Sequence, residues 1–175
     1  MKRNHQIICS ALFYIFFAVY LILLLHALIF QRIGWSSMRS INLIPFYTIG
    51  SYVLEIARSS ANSRFAFDNL FFNVVFFIPL GMYLPILQRR ERIIICLSWI
   101  VLFSITVEIL QWCFRLGAAD IDDVILNSLG GLIGLLAYKA LLALLKEKQR
   151  VRLFITIISA VAGIPALYMA YRYIF

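Results

Sequence analysis

Five apolar runs, each close to the roughly 20 residues a helix needs to cross a bilayer, dominate this chain of 175 residues. They cover about residues 7–30, 70–87, 93–114, 123–145 and 153–170. Backbone in hydrocarbon must find its hydrogen bonds within its own segment, which a helix provides. Hydrophobic residues make up 63% of the chain and the mean hydropathy is +0.93, more than a soluble domain carries without exposing large apolar patches. The expected fold is all-α: one domain over residues 1–175, a polytopic membrane bundle of about five transmembrane helices with a short interfacial helix in the first external loop.

The first run follows Lys2 and Arg3 and continues to Phe30 without a small-residue cleavage site, so it reads as an uncleaved span rather than a signal peptide. The formal net charge of +8 does not imply nucleic acid as a partner. No basic segment is interleaved with stacking aromatics, and the lysines and arginines fall in short clusters between apolar runs. With the N-terminus inside, inner segments hold nine basic residues and outer segments six; this bias predicts a cytoplasmic N-terminus and an external C-terminus in the cell membrane. Cys9, Cys96 and Cys113 lie in or beside apolar runs and imply no disulfide framework.

The longest loop, residues 31–68, contains Asn42-Leu43-Ile44-Pro45-Phe46. Pro45 pushes the residue before it out of helical geometry. Beyond it, Ile49, Tyr52, Val53 and Ile56 recur at helical spacing, the pattern of a short helix in the interface. The second span is entered through Asn69 and Asn73 and contains Pro79 and Gly81, which are expected to bend it.

The stretch Ser104 to Gly134 holds four of the eight acidic residues, Glu108, Asp120, Asp122 and Asp123, in or beside apolar runs, where ionisable groups are costly and usually functional. On a helix Ser104, Glu108, Gln111 and Arg115 share a face, and Asp123, Asn127, Gly130 and Gly134 repeat the spacing after the loop. The two stripes are expected to face each other across a hairpin, with Gly130 and Gly134 admitting a close approach. The alternating topology then brings Asn42, Asn69, Asn73, Glu108, Gln111, Asp120, Asp123 and Asn127 to one external end.

Taken together, the segment around Pro45, Asn73 with Pro79 and Gly81, Glu108 with Gln111, and Asp120 with Asp123, Asn127 and Gly130 resemble the motif set of the VanZ family. The resemblance runs from about residue 7 to 138 with every motif in order. Many relatives carry an arginine three positions before the first aspartate of the D-x-x-D motif; here Gly117 stands there, and Arg115 is the available substitute. The resemblance implies a membrane protein that lowers susceptibility to teicoplanin, a lipid-anchored glycopeptide that binds peptidoglycan precursors outside the membrane.

Three chemical readings follow. Glu108, Asp120 and Asp123 are a candidate acid/base or metal-holding group acting on a lipid-linked envelope substrate, and an oxygen-only ligand set would suit Mg²⁺ or Ca²⁺ as a divalent cation. Alternatively, with Asn42, Pro45, Asn69, Asn73, Gln111, Arg115 and Asn127, they form a binding site for a membrane lipid, a lipid-linked cell-wall precursor or the drug's anchor. In the structural reading Glu108 pairs with Arg115, or with Gln111 and Asn127, while Asp123 caps the fourth span.

Overall fold

The computed structural model describes residues 2–30, 41–59, 61–88, 91–115 and 118–174, with side chains described except at 2–6, 29, 30, 162 and 164–174. The element order is α1 (Lys2–Phe30), β1 (Ile41–Asn42), α2 (Tyr47–Ala57), α3 (Ser63–Leu87), α4 (Ile93–Cys113), β2 (Ala119–Asp120), α5 (Ile121–Leu145) and α6 (Lys148–Ile174). The only pairing of strands among the described residues is the parallel one of β1 with β2, Ile41 opposite Ala119 and Asn42 opposite Asp120.

Four helices among the described residues are long and apolar enough to cross a membrane: Ile7–Leu28, Ser63–Leu87, Ile93–Cys113 and Ile121–Leu145. The expected fifth span, 153–170, falls within the continuous helix α6, whose side chains beyond residue 163 lie outside the described set. The second span starts earlier than its apolar run, at Ser63, because Arg64, Asp68 and Asn69 are compatible with helix even though they lower hydropathy. Asn69 and Asn73 therefore sit inside α3 rather than at its entrance. The helix runs unbroken through Pro79 and Pro85.

The described chain divides into two compact units, residues 1–27 with 139–175, and residues 28–138. In the first, Phe13, Val151 and Ile155 are buried. In the second, Phe77, Leu80, Tyr83, Ile100, Val107, Leu135 and Tyr138 form the core, while Ile94, Trp99, Leu102 and Ile109 of α4 point outward, as apolar side chains do where the solvent is lipid. Helix α2 buries no residue; Tyr52 meets Phe65 of α3 edge-to-face at 6.1 Å.

Helices α3 and α5 run parallel and touch backbone to backbone. A Cβ built on Gly130 would overlap the Val74 carbonyl, one on Gly134 the Ile78 carbonyl, and one on Gly81 the Gly131 carbonyl. The glycines thus serve α3, whereas the sequence spacing assigned them to the hairpin partner α4; only Gly131 meets α4, at Ile100. Helical geometry gives the reason. At 100° per residue Asp123, Gly130 and Gly134 fall within about 40° of each other, and Asn127 and Gly131 are centred about 60° further round, so one apparent stripe divides between two neighbours. Gly134→Leu is expected to cost at least about 1–3 kcal/mol by overpacking this crossing, read as lower folded yield and lower thermal stability of the detergent-purified protein. A variant that accumulates and melts like the parent would mean that the crossing tolerates separation.

Candidate functional site

Two chain crossings bring the site together. The β1–β2 pair sets Asn42 beside Asp120, and the turn that follows β1 is latched onto the first turn of α5. Ile44-Pro45-Phe46-Tyr47 forms a β-turn closed by Tyr47 N–H donating to the Ile44 carbonyl at 3.3 Å. Pro45 supplies the fixed φ of the first central position, and Phe46 takes the second at φ 65 and ψ 6, the left-handed geometry of a type II turn that normally calls for glycine. Holding phenylalanine there costs about 1–2 kcal/mol, so something must compensate.

Asp122 provides that compensation. Its carboxylate is fully buried and accepts from Phe46 N–H at 2.6 Å and from Ile49 N–H at 3.0 Å. These are otherwise orphaned donors at the start of α2. One buried charge thereby fixes both the strained turn and the helix that follows it.

Asp120 is the second node. Its Oδ2 accepts from Thr48 Oγ1–H at 2.6 Å. Its Oδ1 accepts from Asn42 Nδ2 at 3.2 Å and from Asp122 N–H at 2.9 Å. The last of these makes Asp120 the N-cap of α5, a role the sequence had given to Asp123: the helix begins at Ile121, two residues earlier than its apolar run, and a cap must precede the first turn. Asn42 also donates to Thr48 Oγ1 at 2.9 Å and accepts from Ile44 N–H at 3.1 Å. Glu108 reaches across from α4, where its Oε2 accepts from Asp120 N–H at 3.0 Å.

Deeper in the second unit, Asp123 Oδ1 accepts from Asn73 Nδ2 at 2.6 Å, and the same amide meets Asn69 Oδ1 at 3.2 Å. Asn127 Nδ2 donates to Ser104 Oγ at 2.9 Å. Gln111 Nε2 donates to the Leu28 carbonyl at 2.7 Å, leaving its own Oε1 buried without a partner among the described residues. Glu108, Asp123, Asn73, Gln111 and Asn127 are all buried, so a band of polar groups lines the facing sides of α3, α4 and α5.

Of the sequence-derived candidates, Asn42, Asp120 and Glu108 join one hydrogen-bonded group with Thr48 and Asp122, whose loop Pro45 shapes; Asn69 and Asn73 join Asp123, while Asn127 bonds to Ser104 and Gln111 to the Leu28 carbonyl. Arg115 joins none of these. It sits past the end of α4 at φ 59, the left-handed position that ends a helix. It is exposed and has no ion pair among the described residues, so it is not the partner of Glu108. Gly117, the position at which the resemblance expects an arginine, lies outside the described residues together with Leu116. Sequence reasoning missed Thr48 and the latch made by Asp122. Four clustered acids were a signal for the latter; nothing in the local sequence marks Thr48.

The carboxylates do not fit a divalent cation. Among the described residues no three His, Cys, Asp or Glu side chains gather as a metal-holding group, and Asp120, Asp122 and Asp123 are each turned toward donors of the protein itself. The described chemistry is that of acceptors fixing a loop and joining α3, α4 and α5 through polar contacts.

Comparison with known proteins agrees with the motif reading. The VanZ/LLP1 family model matches residues 11–146. Among curated proteins, Protein VanZ of Enterococcus faecium is 34% identical over 100 residues, 57% of this chain and 53% of that protein, so the match spans about half the length of this relative. No solved structure matches.

Proposed function

We propose a function from the premise that this chain belongs to the VanZ/LLP1 family: it lowers susceptibility to teicoplanin by engaging a lipid, a lipid-linked wall precursor or the drug's acyl anchor at the outer face of the cytoplasmic membrane. One observation carries this reading. The latched segment presents Leu43, Ile44, Phe46 and Tyr47, each at least 64% exposed, directly beside the buried acceptors Asp122 and Glu108 and the half-buried Asp120. An apolar ledge next to a polar recess suits a ligand with a hydrocarbon chain and a polar head. In this reading α2 lies in the interface, which fits a helix with no buried residue.

The orientation follows from the basic residues and is open to direct test. In a cysteine-free background, Ala119→Cys is expected to react with an impermeant thiol reagent on intact cells and Gln149→Cys to remain unlabelled. The opposite pattern would put the network on the cytoplasmic side and end the proposal.

We take binding rather than turnover as the reading, because both oxygens of Asp122 are committed to the backbone N–H groups that hold the loop, while the half-buried Asp120, which accepts from the protein's own donors, keeps lone-pair capacity for a donor on a ligand's polar head. The functional test is expression in a susceptible host challenged with teicoplanin and with the same glycopeptide stripped of its acyl chain. Protection against the acylated drug alone is expected. Equal protection against both would exclude recognition of the anchor, and none against either would exclude the function.

A further inference from the structure

The net charge is concentrated in one part of the chain. The unit made of residues 1–27 and 139–175 contains eight lysines and arginines against a single acid, Glu147, a net of +7; residues 28–138 hold eight against seven. Glu147 is already committed, since its Oε2 accepts from Arg150 Nε at 3.0 Å on the surface. No carboxylate of this unit is left for Arg152.

Arg152 is nonetheless the cation most in need of one. Its guanidinium lies over the ring of Phe13, 4.6 Å from the centroid, and near that of Tyr14, at 5.2 Å. Nε and Nη2 are closed off from solvent and have no acceptor among the described residues. Nη1 is neither buried nor bonded there, so it marks the open side of the group. A guanidinium does not discharge itself by losing a proton, and stacking on two rings steadies a cation without satisfying its N–H groups. The group calls for an anion with several acceptor oxygens, and the planar fork matches phosphate. The surroundings narrow the source. Next to Arg152, Leu153 and Phe154 of α6 are 45% and 40% exposed, and Leu12 and Ile15 of α1 flank the two aromatic residues at 41% and 55% exposure. A free phosphate would leave those side chains uncovered, whereas acyl chains attached to the phosphate would cover them.

We propose that Arg152, backed by Phe13 and Tyr14, is a binding site for the phosphate of an anionic phospholipid whose chains lie along the apolar side chains of α1 and α6. The site is independent of the network around Asp120 and of the function proposed for it, and it goes beyond the diffuse attraction that any basic loop has for an anionic leaflet.

The test uses the full chain in neutral detergent, with phosphatidylglycerol as probe and lipid retention read by native mass spectrometry. Saturable binding of one lipid is expected, weakened about tenfold, the equivalent of about 1.4 kcal/mol, by Arg152→Gln and less than about twofold by Arg150→Gln, whose charge is exposed. Equal weakening by both variants would reduce the attraction to diffuse charge and overturn the site. Equal binding of phosphatidylcholine would overturn the need for an anionic lipid. Displacement of the lipid by inorganic phosphate at the same concentration would overturn the role of the chains. If Arg152→Gln fails to accumulate, Arg152→Lys decides: it keeps the charge and loses the fork, so weaker binding supports the site and unchanged binding overturns it.

Discussion

Asp122→Ala is expected to abolish protection against teicoplanin while most of the protein remains folded in the membrane. The expectation rests on where the two acceptor bonds of Asp122 go. Both run to backbone N–H groups of Phe46 and Ile49, and bonds to an ionised acceptor are worth about 1.5–3 kcal/mol each, more than the roughly 1–2 kcal/mol spent on the left-handed Phe46. Remove the carboxylate and the turn has no reason to hold its strained geometry. The segment then relaxes together with α2, which buries nothing of its own, whereas the crossing of α3 and α5 and the core around Phe77 and Ile100 do not involve Asp122. Asp122→Asn keeps one good acceptor and loses the charge, so an intermediate phenotype is expected. The measurement is susceptibility alongside membrane abundance, with limited proteolysis of residues 41–59 reporting the release of the loop. Full protection with a protease-sensitive loop would show that the latched turn is not the functional surface.

Much of this architecture is legible in the sequence, for reasons that also explain what is not. The spans can be read because hydropathy over about 20 residues is a property of the segment alone. The polar band can be read because Glu108, Gln111, Asp123 and Asn127 violate the apolar pattern around them. What cannot be read are the pairings made across the fold. Asp122 meets Phe46 and Ile49 over 76 and 73 residues, Thr48 meets Asp120 over 72, and the two-residue strands carry no periodicity. The roles of Asp120 and Asp123 are exchanged for a smaller reason. The apolar run begins at about Asp123 while the helix begins at Ile121, and a shift of about two residues is enough to move the cap from one aspartate to another. The glycines go to the wrong neighbour because a difference of about 60° on a helical wheel separates α3 from α4, and spacing alone does not say which helix stands on which side.

The sharpest separation of function from fold comes from Asp120→Asn and Glu108→Gln. Both substitutions are nearly isosteric, and the local hydrogen bonding can adapt to each. In the Asp120→Asn variant, Thr48 Oγ1 can accept from the new amide where it formerly donated to Oδ2, and the oxygen that remains on the side chain can still accept from Asn42 and from the N–H of Asp122. In the Glu108→Gln variant, the side-chain carbonyl oxygen can still accept from the N–H of Asp120. A purely structural role therefore predicts losses limited to the difference between charged and neutral hydrogen bonds, on the order of 1–2 kcal/mol, and protection that falls only in proportion to protein level. A recess that binds the polar head of a ligand through its negative charge predicts something else: normal abundance and lost protection, with the loop still resistant to protease. That second pattern is the expected one. The double variant adds a further check, since Glu108 and Asp120 are joined by a direct bond and their effects on protection should be less than additive if they act on one ligand. Full protection by both single variants at normal abundance would remove these carboxylates from recognition and leave the apolar ledge at Leu43, Ile44, Phe46 and Tyr47 as the only surface left to explain it.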